Sequence, residues 1–379
     1  MLILIIVFLS TSDGYLDYVI QLLFFQKNIQ ISEIGMSISA LFILTALLQL
    51  FIQKAVRKYG YKIFSLTAIL IIIISLLIII FTNNKTIALI CNVTQGMAIW
   101  IQWTLLQSYV IDVNNDAKSY GKLRFVANVS YGIGAILFLV LMLADIPHRY
   151  QISIGITIVA FTILFFIYLF QKNIKPKNLN TKIKVGYTDL LKEKTAKLYS
   201  LYYIISCIQW GLINTMVGIL IVISLDLGYV YLGMYSLIGY VIGAIVTNLA
   251  LKREVKKKTE DRLLIALNIL FVFALFGNPV VIIILLLFNR LYSNVLAISL
   301  EMRIQSIYSD GRTSLLMGIQ ATSEYVGLAI GAFLAGILLE NNHMYLIKLA
   351  FVFTILLSIS IYLLRTEIRK KGYYNRVIN

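Results

Sequence analysis

The sequence predicts an all-α membrane protein with twelve transmembrane helices in two six-helix halves, and three observations carry that prediction. Of the 379 residues, 60% are hydrophobic and 13% are charged, against about a quarter charged in an ordinary soluble domain. Apolar runs of roughly 20 residues, each enough to cross about 30 Å of hydrocarbon, recur along the whole chain and leave no room for a soluble domain. The longest polar segment, Gln171 to Lys197, falls between the sixth and seventh runs. It sets residues 1–171 apart as an N-terminal half, 172–197 as a linker, 198–366 as a C-terminal half and 367–379 as a tail.

The elements follow in order. Span one, residues 1–26, opens with "MLILIIVFLS". It has no basic start and no small-residue cleavage site, and its apolar run continues to Phe25, so it reads as a retained span and not a signal peptide. The others are expected at 32–53, 61–82, 86–111, 122–144, 150–171, 198–225, 229–251, 261–277, 279–300, 313–339 and 344–365. The segments between them alternate in charge. "KAVRKYGYK", the 171–197 linker, "KREVKKKTEDR", "EMRIQSIYSDGR" and the tail "RTEIRKKGYYNR" hold most of the Lys and Arg, whereas "TNNK", "ADIPHRY", "DLGY", "GNP" and "ENNH" are short and nearly neutral. The positive-inside rule makes the basic set cytoplasmic and places both termini inside a multi-pass cell membrane. An even number of spans requires the same. The linker contains Pro176, one of three prolines, and a short amphipathic stretch, "YTDLLKEKTAKLYSLYY", leading into span seven.

The net charge of +16 is therefore a topology signal and not a nucleic-acid footprint. Cys91 and Cys207 lie in different apolar runs with no ligand-spaced neighbour, so packing roles are expected, with no metal and no disulfide. His148 and His343 fall in short neutral loops and read as surface residues. The sequence has no Gly-Lys-Ser/Thr phosphate loop and no metallohydrolase or nucleophile-elbow motif, which excludes an ATP-driven pump and argues against an enzyme. No cofactor is implied.

An ionised side chain at the bilayer centre costs roughly 2.5 to 3.5 kcal/mol or more, so such residues face water or partners. Asp13 and Asp17 are four apart and share a helical face. At about 1.5 Å per residue they lie roughly 20 to 26 Å deep, near the midplane. Arg290 in span ten and Glu324 in span eleven lie similarly deep.

Two six-helix halves joined by a basic linker resemble the major facilitator superfamily of secondary transporters. "QKAVRKYGYK" is similar to the motif that follows span two in that family: it keeps Gly60, Lys62 and Lys58, while Gln53 replaces the first Gly and Arg57 stands in place of an Asp. The resemblance implies a gating loop at Arg57, Lys58, Gly60 and Lys62. "ISEIGMSIS" resembles the start of span two. "SYGKLRFVANVSYGIGA", with Tyr120, Gly121, Arg124, Tyr131, Gly132 and Gly134, is similar to span five of the oligosaccharide and nucleoside proton symporters, the lactose permease-like branch. There the arginine binds sugar with an acid whose matching position here is Gln107. "DGRTSLLMGIQATSEYVGLAIGAFLAG" looks like span eleven, whose Gly327, Gly331 and Gly336 allow close helix approach.

In the resembled fold, spans one, four, seven and ten line a central cavity. Polar and aromatic residues concentrate on these spans: Ser10, Ser12, Asp13 and Asp17; Gln95, Trp100, Gln102 and Trp103; Gln209, Trp210 and Asn214; Asn289, Arg290 and Asn294. Span five lacks the Gly-Pro pairing typical of drug antiporters in the family.

These readings converge on proton-coupled uptake of a small polar solute such as a sugar or nucleoside, by alternating access in a monomer. A surplus carboxylate in a poorly hydrated site takes up a proton more readily than one in water, as a proton carrier must. Asp13, Asp17 and Glu324 are the candidates. Trp100, Trp103, Gln107, Arg124, Gln209, Trp210, Asn214, Asn289, Arg290 and Asn294 are the candidate substrate-binding residues. Several alternatives stay open. Asp13 and Asp17 could instead hold Arg290 across the halves, and Glu324 could pair with a basic neighbour. Arg124 could snorkel to headgroups, and Gln209 and Trp210 could simply pack. For the whole chain, the alternatives are efflux of drugs or amphipathic metabolites, and a non-transporting sensor or scaffold.

Overall fold

The structure is a computed structural model that describes residues 2–114, 117–144, 146–173, 187–252, 257–307 and 313–370. Every regular element among these residues is helical. Six long helices come first: α1 (Leu2–Gln26), α2 (Ile31–Tyr59), α3 (Tyr61–Phe81), α4 (Lys85–Asn114), α5 (Ala117–Leu143) and α6 (Arg149–Phe170). After the one-turn α7 (Tyr187–Leu190) come α8 (Lys194–Asn214), α9 (Val217–Ile219), α10 (Gly228–Lys252), α11 (Lys257–Ala274), α12 (Pro279–Ile307), α13 (Thr313–Asn341) and α14 (His343–Lys370).

Nine spans among the described residues are long and apolar enough to cross a bilayer. Helices α4, α11 and α12 fall short for visible reasons. α4 carries Asn92, Gln95, Gln102 and Gln107, α11 opens on "KKTEDR", and the apolar part of α12 is interrupted by Asn289 and Arg290. The flanks that face outward are apolar. On α3, Ile63, Leu70, Ile74 and Phe81 are exposed while Ile69, Ile72, Leu76 and Ile79 are buried, as a lipid-facing helix requires.

Helix packing repeats at an offset of one half. In the first half α1 packs on α5 and α6, α3 on α4 and α6, and α2 on α4; in the second, α8 packs on α13 and α14, α11 on α12 and α14, and α10 on α12. The halves meet through two related contacts, α2 with α13 and α5 with α10, and through α1 against α9. Parallel repeats of this kind place a site on the axis between them.

Helices α2, α4 and α12 run past the ends expected from hydropathy, to Tyr59, Asn114 and Ile307. Hydropathy marks where hydrocarbon ends, and a helix continues into water when its next residues are helix formers. We call the end of the bundle with the Lys- and Arg-rich loops the basic end, and the other the neutral end. The amphipathic lead-in to span seven is not one helix: Lys192 and Glu193 N–H groups close a turn on Asp189 and Leu190 carbonyls, and α8 starts afresh at Lys194. Span seven is itself broken at Thr215–Met216, and its far part, α9, runs on into a π-helical turn, Leu220–Ser224.

Each half is locked at the basic end. At the α2–α3 turn, Gly60 sits at φ 87°, and Asn173 fills the space a Cβ would take there. Asn173 Nδ2 donates to the Tyr59 carbonyl at 2.8 Å, and Lys62 Nζ donates to the Leu169 carbonyl at 2.6 Å, a cation at a helix C-terminus. In the other half, Arg365 of α14 pairs with Glu260 and Asp261 at the start of α11. Lys58 is exposed with its ammonium 5.0 Å from the Tyr59 ring centroid. The side chains of Arg57, Tyr120 and Arg124 lie outside the described residues, as do residues 174–186 of the linker and the tail from 371.

The neutral end is where the halves close. Gly35 of α2 and Gly336 of α13 are in backbone contact: a Cβ on Gly35 would lie 2.6 Å from the Gly336 Cα. Glu340 accepts a hydrogen bond from the Ser32 N–H at 3.0 Å, so a carboxylate of one half caps the first turn of a helix in the other. Gly327 and Gly331 make similar close approaches to α8 within the second half.

Candidate functional site

Inside that closure lies a cavity of about 50 Å³, lined among the described residues by α1, α2 and α4 of the first half and by Thr215 of the second. Asp13, Asp17 and Gln21 of α1, Asn92, Gln95 and Trp100 of α4, Phe42 of α2 and Thr215 at the break in span seven are among its lining residues. Asp17 is exposed although it sits mid-helix, and its exposure is to this cavity. Among the described residues no lining residue is basic.

The two aspartates are held differently. Asp13 Oδ2 accepts from the Trp103 indole N–H at 3.1 Å and from the Tyr131 hydroxyl at 2.9 Å. Asp17 has no hydrogen-bond partner among the described residues. Behind Asp13 a column of rings crosses the seam. Trp103 stacks on Tyr131 with centroids 5.9 Å apart, and Tyr131 stacks on Tyr240 of α10 at 5.0 Å and 13°. The Arg290 guanidinium lies 3.8 Å from the Tyr240 centroid and 5.7 Å from that of Tyr235. Gly239 makes room for it, since a Cβ there would lie 2.7 Å from Arg290 Cδ. Arg290 is 9% exposed, and its charge is accommodated by ring faces. Among the described residues it forms no ion pair with Asp13 or Asp17. The rings of Tyr131 and Tyr240 stand between Asp13 and Arg290.

A second aromatic group spans the seam on the other side of the cavity. Trp100 packs edge-on to Phe42 at 5.5 Å and to Tyr325 of α13 at 5.8 Å. The Tyr325 hydroxyl is 3.3 Å from Thr104 Oγ1. Glu324, the neighbour of Tyr325, is half-buried.

A polar relay fixes the orientation of Gln95. The Ser37 hydroxyl donates to the Ile34 carbonyl at 2.8 Å, so its oxygen accepts from Asn92 Nδ2 at 3.0 Å. That turns Asn92 Oδ1 toward Gln95, whose Nε2 donates to it at 3.2 Å. Gln95 Oε1 remains without a partner. At the neutral end Gln21 Nε2 donates to the Thr215 carbonyl at 2.7 Å, closing α1 onto the break in span seven, and Gln21 Oε1 is likewise unpartnered.

The remaining sequence-derived candidates are scattered. Gln209 Nε2 donates to Asn289 Oδ1 at 2.8 Å, a fully buried bond between α8 and α12 within the second half. Asn214 accepts from the Tyr235 hydroxyl at 2.6 Å, and its Nδ2 donates to the Trp210 carbonyl. Asn294 Nδ2 returns to the Arg290 carbonyl at 2.9 Å. Trp210 and Gln107 are half-buried, and neither is among the cavity's lining residues.

Sequence reasoning missed Gln21, Phe42, Asn92, Thr215, Tyr240 and Tyr325 as site residues. Gln21 carries a recognisable signal, lying four residues after Asp17 on the same face; Tyr240 carries none, being one of 24 tyrosines.

A family model of the Major Facilitator Superfamily matches residues 2–288. Among solved structures the chain is similar to the nucleoside transporter NupG, with a TM-score of 0.71 and 15% identity over 96% of this chain and 97% of that one. It is also similar to the human organic anion transporter MFSD10 (TETRAN), with a TM-score of 0.67 and 14% identity over 96% of this chain and 99% of that one. At these identities the likeness shows the fold alone. No curated protein sequence matches the chain significantly.

Proposed function

The chain belongs to the Major Facilitator Superfamily, and on that premise we propose that this membrane transporter couples the movement of a small organic solute to protons through the cavity between its halves. The observation that carries the proposal is the placement of Asp13 and Asp17 on that cavity with no basic residue among its described lining residues. Asp17, exposed to the cavity and with no hydrogen-bond partner among the described residues, is the group that gains and loses the proton. Asp13, held by Trp103 and Tyr131, stays fixed and sets the field in which Asp17 titrates.

The cycle runs as follows. With the neutral end closed at Gly35, Gly336, Ser32 and Glu340, the site exchanges with the basic end; when these contacts part, it exchanges with the neutral end. Packing of α2 on α13 and of α5 on α10 supplies the two seams about which the halves rock. Neutralising Asp17 removes a charge that would otherwise resist occlusion. The charge asymmetry of the loops supports an orientation with the basic end, both termini and the linker in the cytoplasm of a multi-pass cell-membrane protein.

Reconstitution tests the proposal. Proteoliposomes carrying a trapped pH dye are exposed to a panel of labelled sugars, nucleosides, amines and carboxylates under either orientation of a proton gradient. Solute movement that follows the gradient and moves protons with it supports coupling, and the direction of the paired movement distinguishes uptake from efflux. Panel members that equilibrate with no proton movement, or no movement of any member, would reject it.

A further inference from the structure

The cavity's electrostatics are one-sided. Among the described residues its charged lining groups are both carboxylates, and the two unpartnered buried atoms on its walls, Gln95 Oε1 and Gln21 Oε1, are both acceptors. Gln95 is 1% exposed and its polarity is dictated by the Ser37–Asn92 relay, so its oxygen cannot be exchanged for its amide nitrogen without breaking that relay. A buried acceptor left unmatched costs free energy, and one kept so beside a cavity awaits a donor. The Arg290 guanidinium is committed to the faces of Tyr240 and Tyr235. It sits behind the Tyr131–Tyr240 pair and is not among the lining residues. The aromatic walls, Phe42 and Trp100, add faces that favour a cation over an anion.

From these placements we propose that the transported solute is an organic cation bearing an ammonium group on an apolar body. The ammonium is met by Asp17 and Gln95 Oε1, and the body by Phe42 and Trp100. This rests on the proposed transport function and specifies its substrate class. The three N–H donors of an ammonium suit a carboxylate and an amide oxygen, which a carboxylate solute, having no donor, cannot satisfy. An amine that carries its own charge also competes with the proton for Asp17, which makes exchange of one for the other the natural coupling.

The test uses three probes that share one body and differ in the head group: 3-phenylpropylamine, 3-phenylpropan-1-ol and 3-phenylpropanoate, each titrated at pH 7 into the full-length protein in detergent. Binding is read from intrinsic tryptophan fluorescence. The amine is expected to bind about tenfold or more tighter than the alcohol, the worth of one charge-assisted hydrogen bond, and the carboxylate more weakly than either. Asp17→Asn should bring the amine to the level of the alcohol, and Gln95→Leu should weaken the amine alone. Carboxylate binding equal to or tighter than amine binding, an amine no tighter than the alcohol, or no amine binding at all would overturn the proposal. These comparisons use wild-type protein, so they stand even if a variant fails to fold. Proton-coupled movement of a neutral or anionic solute in proteoliposomes would leave the transport reading intact while this one failed.

Discussion

Replacing Gly35 with alanine should drive the neutral end open. The added Cβ would stand 2.6 Å from the Gly336 Cα and 2.9 Å from the Ala332 carbonyl oxygen, where ordinary contact begins at 3.4 Å. The shortfall of about 0.8 Å falls on backbone atoms, which cannot rotate out of the way as a side chain could. Overpacking of this kind costs about 1–3 kcal/mol, and only the arrangement in which α2 and α13 touch bears the cost. A two-state equilibrium therefore shifts by roughly 5- to 150-fold toward the state in which they have parted. Spin labels at Asn83→Cys and Asn341→Cys, exposed positions near the neutral ends of the two halves, report the separation by pulsed dipolar spectroscopy. The longer-distance population should grow in Gly35→Ala and in Gly336→Ala, whose Cβ would lie 2.8 Å from the Gly35 Cα. An unchanged distance distribution in well-folded Gly35→Ala protein would refute the idea that this contact is the gate.

Two further perturbations follow from the fold. Arg365→Met strips the guanidinium from Glu260, whose side chain is 1% exposed, and should cost about 3–5 kcal/mol, seen as a lower unfolding temperature in detergent. Asp261→Asn, at a side chain 42% exposed, should cost less than about 1 kcal/mol. In a background lacking Cys91 and Cys207, cysteines at His148 and His343 should react with an impermeant maleimide added to intact cells. A cysteine at Lys192, in the turn before α8, should react only after permeabilisation; the reverse pattern would invert the topology.

The sequence disclosed the fold through physics that acts along the chain. Length and hydropathy mark spans, and loop charge marks sides, so twelve helices in two halves were legible without coordinates. The aspartates were legible as well, because a charge in an apolar run needs an explanation wherever it falls. What escaped was everything that depends on pairing across the seam. Arg290 looked like a partner for Asp13 because opposite charges at similar depth invite pairing; only the packing of α5 on α10 shows Tyr131 and Tyr240 between them. Gln209 and Asn289 read as cavity residues because they lie on the expected spans, yet helical phase turns them toward each other. The break at Thr215–Met216 has no proline to announce it, and Gly35 gave no hint that its counterpart is Gly336, some 300 residues away.

The account rests on Asp17 as the proton-carrying group, and Asp17→Asn tests it most directly. The amide keeps the shape of the side chain and cannot cycle a charge. In proteoliposomes preloaded with whichever panel solute the wild-type protein accumulates, and at solute concentrations raised to offset its weaker binding, the variant should still exchange external for internal solute while failing to accumulate it against a gradient when protons are supplied. Asp13→Asn, which disturbs the group that sets the field, should weaken accumulation without abolishing exchange. Proton-driven accumulation by well-folded Asp17→Asn at the wild-type level would contradict the account and pass the role to Glu324.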